Sequence, residues 1–291
     1  MTTKEKIVWG GGALVGAAAA LPVAAFWHER RETGRLNRRL DEQARAHHVF
    51  VANRLGPVPS PVRRYLAHTL RDGQPFITNA SIVQTGFFST RRNAEWRMHA
   101  RQRFSTNPLG FVWEARIDTA PMAPTWVHDS YIGGVAAMRA DAAGLFPVVN
   151  QKASRELNAA ALTRLLAELV WLPTALLPDA GAGVRWMSAD DDSAVASLTD
   201  SGTAASAKFT FDEQGDVVEI LASDRFREVH GRFERTPWRV TCAGHEERDG
   251  IRIPTACEVA WMLPDGPFTY WRGTVENVKY EFDAATESCG S

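Results

Sequence analysis

In the stretch "RLLAELVWLPTALLP", residues 164 to 178, Arg164, Glu168 and Trp171 stand at positions i, i+4 and i+7. On an α-helix that spacing stacks a guanidinium, a carboxylate and an indole along one face. A carboxylate held among apolar residues is raised in pKa and becomes competent as a general acid or base. The same pair, left unreactive, supplies the few polar contacts that orient a ligand in an apolar cavity. Trp171, together with Trp96 and Trp113 from strand-like runs, offers apolar walls for such a cavity. The candidate ligand site is therefore Arg164, Glu168, Trp171, Trp96 and Trp113, and Glu168 is the candidate acid/base if the protein is an enzyme. A plain core helix with a solvated back explains the same residues, and both readings stay open at this point.

Other chemistry is hard to find. The chain contains no HExxH, CxxC, GxSxG or P-loop pattern, and its histidines are scattered. No catalytic residue, metal site or cofactor is assigned. Asp190 to Asp192 lack the alternate spacing and closing Glu of a calcium loop and read as a turn. A net charge of −1 gives no whole-molecule field toward nucleic acid. The basic strand face Arg97, His99, Arg101 and Arg103 could meet phosphate or lipid headgroups. It carries no interleaved aromatics, so single-strand nucleic-acid binding by stacking is not expected.

The elements that must position these residues follow from periodicity. Leu162, Leu165, Leu166, Leu169, Val170 and Leu172 fill one helical arc, which predicts a helix over 158–172 with Asn158 as N-cap and Pro173 as its stop. Around it the period is two. Ala94, Trp96, Met98, Ala100 and Phe104 alternate with charged residues, and Phe111, Trp113, Ala115 and Ile117 alternate again. Strand-like runs also cover 125–132, 135–140, 145–150, 184–189, 193–199, 206–212, 216–224, 238–247, 251–263 and 268–282. The expected fold is mainly β with a central helix (α+β): a large curved antiparallel sheet, or half-barrel, wrapping one helix. Taking Asp249-Gly250 as a two-residue turn pairs Arg248 with Ile251, His245 with Pro254 and Cys242 with Cys257. Those two cysteines are then neighbouring buried thiols on the apolar face of Trp238, Val240, Val259 and Trp261. Three cysteines are too few and too odd a set for a disulfide-stapled secreted scaffold.

The first 28 residues are different. Ile7 to Trp27 carry no charge and are long enough for a bilayer core of roughly 30 Å, so an N-terminal transmembrane helix acting as a single-pass membrane anchor is the favoured reading. A cleaved signal peptide ending near "VAA" (Val23 to Ala25) is the second. A dinucleotide loop fails, because Val15 stands where its third glycine belongs. The expected organisation is a membrane anchor at 1–28, a charged juxtamembrane helix at 29–56 and a single antiparallel β domain at 57–291. Arg30, Arg31, Arg35, Arg38, Arg39 and Arg45 follow the span, which places the main domain in the cytoplasm by the positive-inside rule.

At "LTRLLAELVWLPTALLP", followed by "VRW", "TPWRV", "IRIPTACEVAW" and "FTYWRG", the chain resembles an uncharacterised family of bacterial domains, often preceded by a membrane segment. The resemblance spans about residues 57 to 282 and implies no activity or catalytic residue. More loosely, strands wrapped round a helix are similar to the lipoprotein-carrier half-barrel, whose concave side holds acyl chains. Such carriers work outside the cytoplasm, against the arginine bias, so the side of the membrane stays open. The sequence thus favours a membrane-anchored, non-catalytic binding domain for a lipid or other hydrophobic ligand. An enzyme using Glu168 and a structural envelope-associated protein without ligand are the alternatives.

Overall fold

The computed structural model describes residues 34–39, 49–178 and 182–283. The expected anchor at Ile7–Trp27 lies outside the described residues, as do residues 29–33 and 40–48 of the charged stretch that follows it. No described helix is long and apolar enough to cross a membrane.

Two-residue alternation becomes one sheet of thirteen strands. In chain order these are β1 (Ile77–Arg91), β2 (Ala94–Thr106), β3 (Leu109–Ile117), β4 (Thr125–Ile132), β5 (Val135–Ala142), β6 (Phe146–Gln151), β7 (Arg185–Ser188), β8 (Ser193–Asp200), β9 (Thr203–Phe211), β10 (Val217–Val229), β11 (Arg232–Arg248), β12 (Ile251–Leu263) and β13 (Gly266–Phe282). Helices α1 (Ser60–Thr69) and α2 (Arg155–Glu168) accompany them, and residues 34–39 are also helical. The spatial order is β6-β5-β4-β3-β2-β1-β13-β12-β11-β10-β9-β8-β7. It consists of two antiparallel meanders joined where β1 pairs with β13.

The sheet curls into a half-barrel around α2. The helix packs against β4 and β5 on one flank and β8, β9 and β10 on the other. Ala136 on β5 donates its N–H to Asn158 Oδ1 at 2.9 Å, and Arg225 on β10 donates Nε–H to the Ala160 carbonyl at 3.0 Å. A flat sheet could not bring both flanks to one helix. The rims also meet directly, since the Tyr131 hydroxyl on β4 donates to Asp200 at the end of β8 at 2.6 Å.

Alternation sorts the faces. Met98, Ala100 and Phe104 are buried on the concave side, whereas Arg97, His99 and Arg101 are exposed on the convex side. The β11–β12 hairpin has the register expected from its turn: Arg248 faces Ile251, His245 faces Pro254 and Cys242 faces Cys257. Asp249 and Gly250 both take positive φ, as a two-residue hairpin turn requires. Both cysteines are free and buried, with sulfurs 3.9 Å apart.

The central helix departs from its expected bounds. It starts at Arg155, capped by Ser154, whose Oγ accepts from Leu157 N at 3.1 Å. It ends at Glu168 and tightens into 3-10 turns at Leu169–Trp171 and Pro173–Leu176. Asn158, expected as the cap, is a helix residue whose amide serves β5 instead. Nor does the helix have a solvated back. Thr163, Ala167 and Trp171 are buried along with the leucines, because the curled sheet covers α2 on nearly every side.

One end of the half-barrel is closed. There α1 packs on β8 and β12, with Tyr65 5.5 Å from Phe211. The 3-10 turns fill the same end: Thr174 Oγ1 accepts from Ile77 N, and the Tyr280 hydroxyl donates to the Trp171 carbonyl. The β1–β2, β10–β11 and β12–β13 turns lie at the opposite end.

Candidate functional site

Five polar groups and one indole line up inside the curl. Trp113 donates its indole N–H to Gln84 at 3.0 Å, and Gln84 reaches Gln102 at 3.5 Å. Gln102 donates to one Glu168 oxygen at 2.7 Å while Arg164 donates to the other at 2.7 Å. Arg164 then bridges to Asp129 at 2.6 Å and lies over the rings of Phe111 and Trp113, 4.6 and 5.2 Å from their centres. Burial pushes the Glu168 carboxyl above its usual range, against the opposing pull of Arg164 and Gln102. Burial works the other way on Arg164, but the charges of Glu168 and Asp129 outweigh it and hold the guanidinium protonated. Both Glu168 oxygens are occupied, so the carboxylate ties α2 to β2.

Among the sequence-derived candidates, Arg164, Glu168 and Trp113 therefore share one network. Trp171 is elsewhere: its indole donates to the Pro254 carbonyl at 3.0 Å and its ring packs 6.3 Å from Phe104, at the closed end. Trp113 and Trp171 are each 4 % exposed, so they serve as packed walls with no free face. Trp96 stands apart from both, at the open end.

That end forms an aromatic mouth. Trp96 pairs in register with Phe88, Phe88 with Trp271, and Trp271 with Val259, all on the concave face. Trp261 stacks on Tyr270 at 5.9 Å, and Phe88 meets Tyr270 edge-on at 6.1 Å. The Tyr270 hydroxyl accepts from the Trp238 indole at 3.0 Å. Gly273 makes room for Trp271, since a Cβ there would lie 2.2 Å from the indole. Phe88, Trp96, Trp261, Tyr270 and Trp271 are all half-buried, in contrast to the sealed interior below them. Two arginines border this mouth. Arg225 lies 4.7 and 5.0 Å from the Trp238 and Trp261 ring centres, and Arg227 lies 5.9 Å from that of Trp261.

A second polar cluster sits at the closed end. Asp216 receives two hydrogen bonds from Arg252, at 2.8 and 2.6 Å, and faces His68 and His245 at 3.6 and 3.7 Å. Burial alone would raise its carboxyl, but the Arg252 hydrogen bonds and the charges of His245, Arg252 and His68 bring it below the usual range. The cluster joins α1 to β10, β11 and β12. On the convex side, an open cleft of about 820 Å³ is lined by Thr85, Phe87, Arg97, His99, Glu258 and Arg272, among others. Arg272 is paired with Glu95 and Glu258 adds the opposite charge, so the basic strand face is locally balanced.

Sequence reasoning missed Arg225, Tyr270, Trp261 and the Asp216 cluster. One signal was present for the network: Gln84 and Gln102 fall on apolar stripes, and a polar side chain on a buried face needs a partner.

Residues 48–273 match a family described as a family of unknown function, DUF6544. No curated protein matches the chain. Among solved structures, a LolA superfamily protein from Nitrosomonas europaea is similar at 11 % identity and a TM-score of 0.41, covering 76 % of this chain and 92 % of that one. A beta-barrel-like protein of the domain of unknown function DUF1849 from Brucella abortus is similar at 10 % identity and a TM-score of 0.24, covering 71 % and 99 %.

Proposed function

The chain belongs to the DUF6544 family of unknown function, and from its geometry we propose that it binds a lipid or other hydrophobic ligand without catalysis. The observation that carries this reading is the half-buried aromatic mouth of Phe88, Trp96, Trp261, Tyr270 and Trp271. Aromatic side chains each bury about 150–250 Å² when covered, and those of the interior directly below, Phe104, Phe111 and Trp113, are fully covered. At the mouth the rings keep part of that area for a guest. Below it, the Arg164–Glu168–Asp129 network gives the mouth a rigid polar floor, which orients a ligand without reacting with it. The uncharged stretch Ile7–Trp27 would hold the domain close to a bilayer, where such ligands reside.

The test is extraction of the purified full-length protein with organic solvent followed by mass spectrometry, with titration of an apolar probe monitored by tryptophan fluorescence. Co-purified lipid, and probe binding weakened about tenfold by Trp261→Ala, are expected. A ligand-free protein that leaves tryptophan emission unchanged with every apolar probe would overturn this reading and leave the enzyme and structural alternatives.

A further inference from the structure

The two arginines at the mouth lack the carboxylate partners that Arg164 has deeper in the curl. Arg164 holds two carboxylates. Arg225 makes one side-chain hydrogen bond, to a backbone carbonyl, and no described carboxylate lies within ion-pair reach of it. Its surroundings are dense enough that burial lowers its pKa, although part of the side chain still reaches solvent. Arg227, two residues on, has a buried Nε with no hydrogen-bond partner. Glu234 faces it across the β10–β11 ladder but is exposed and makes no ion pair with it. Asp129 and Glu168, the carboxylates whose charge reaches Arg225, are already bonded to Arg164.

Both guanidiniums share one aromatic support, Trp261, with Arg225 also over Trp238. Ring faces attract a cation, but they supply no counter-charge and accept no conventional N–H hydrogen bond. A guanidinium largely stripped of water without a carboxylate partner, as at Arg225, is costly unless an anion joins it. A planar guanidinium lying flat on a ring keeps its edge N–H groups free, in the fork geometry that matches carboxylate or phosphate oxygens.

We propose that Arg225 and Arg227 form an anion clamp that takes the carboxylate or phosphate headgroup of an amphipathic ligand whose apolar part lies along Trp96, Phe88 and Trp271. The inference rests on the binding reading above and adds the chemical class of the ligand: a single-chain anionic amphiphile, headgroup inward against Trp261.

The experiment titrates the full-length protein with hexadecanoate, hexadecyl phosphate and hexadecanol, all below their aggregation concentrations, following tryptophan emission and native mass spectra. Butanoate and inorganic phosphate serve as chain-free anions. Both charged amphiphiles should bind at least about tenfold tighter than hexadecanol, and R225Q/R227Q should reduce both to the hexadecanol affinity while leaving hexadecanol binding unchanged. Preference for one charged amphiphile identifies the headgroup as carboxylate or phosphate. Equal affinity for hexadecanol and the anionic amphiphiles in the wild-type protein overturns the clamp and leaves hydrophobic binding standing. So does a folded R225Q/R227Q that keeps the charged preference. Butanoate or inorganic phosphate binding as tightly as the long-chain ligands, and lost in R225Q/R227Q, keeps the clamp and overturns the apolar-ligand reading. If R225Q/R227Q does not fold, the headgroup comparison on the wild-type protein decides alone.

Discussion

Glu168 and Asp216 are both carboxylates enclosed beside arginines, yet their surroundings push them in opposite directions. At Glu168 the loss of water outweighs Arg164 and Gln102, so the folded pKa lies above the ordinary value. At Asp216 the twin hydrogen bonds from Arg252, with His245 and His68 nearby, outweigh burial, so the folded pKa lies below it. Linkage turns these directions into opposite pH slopes. The Asp216 contribution is present above the unfolded pKa of about 3.9 and is lost as pH falls through the lower folded value. The Glu168 contribution is present below an unfolded pKa of about 4.3 and is lost as pH rises through the higher folded value. In urea unfolding at a series of pH values, Asp216→Asn should therefore flatten the acid limb below about pH 4. It should also cost about 2 kcal/mol near neutrality, the scale of hydrogen bonds to a charged group. Glu168→Gln should flatten the decline above that point, gaining on the wild type as pH rises. The same slope change for both variants would mean that one of the two shifts has the wrong sign.

At the scale of elements, α2 is held by two separable features. Leu165 is fully buried, 0 % exposed, and Leu165→Ala should cost about 3 kcal/mol by lost transfer energy and cavity. Ser154→Ala removes the N-cap and should cost about 1 kcal/mol. Eleven residues along the helix place the two sites about 16 Å apart, so the double variant should show the sum within about 0.5 kcal/mol in chemical unfolding. Much of the element plan was legible in alternation: the convex Arg97, His99 and Arg101 against the concave Met98 and Ala100, and the Cys242–Cys257 register set by Asp249-Gly250. The mouth was not legible, because bulges place it. Plain alternation from Ala222 would put Arg225 outside, but the β10–β11 register shifts between Ala222 and Arg225, and Arg225 comes to face Thr236 on the concave side. The register shift after Val259 likewise frees Tyr270 to stack on Trp261. The helix misled for another reason. Its periodicity marks a leucine arc, but nothing local tells that the opposite face will be covered by the far strands of a curled sheet.

At the scale of the whole molecule, the half-barrel has a strong spine and a weaker seam. The spine is the long β1–β13 pairing, which joins the two meanders through registered residues from Ile77 to Phe88. The edges β6 and β7 do not pair, so the curl depends on α2 and on the contact between the rims. That contact is narrow: Tyr131 bonds Asp200, and Gly134 approaches Ser201 so closely that a Cβ on Gly134 would lie 2.3 Å from the Ser201 Cβ. Gly134 also takes a φ of +89°, unfavourable for a branched side chain. Gly134→Val combines the strain with the clash and should destabilise the protein by about 2–3 kcal/mol. Because a local opening exposes only the strands that the contact holds, faster hydrogen exchange should appear in β4–β6 and β7–β9 and spare the centre of β1 and β13. Tyr131→Phe, which removes the hydroxyl and keeps the ring, should give a weaker version of the same pattern at about 1 kcal/mol. Exchange that rises evenly across all thirteen strands in both variants would mean that the curl unfolds as one unit and the rim contact is not a separate seam.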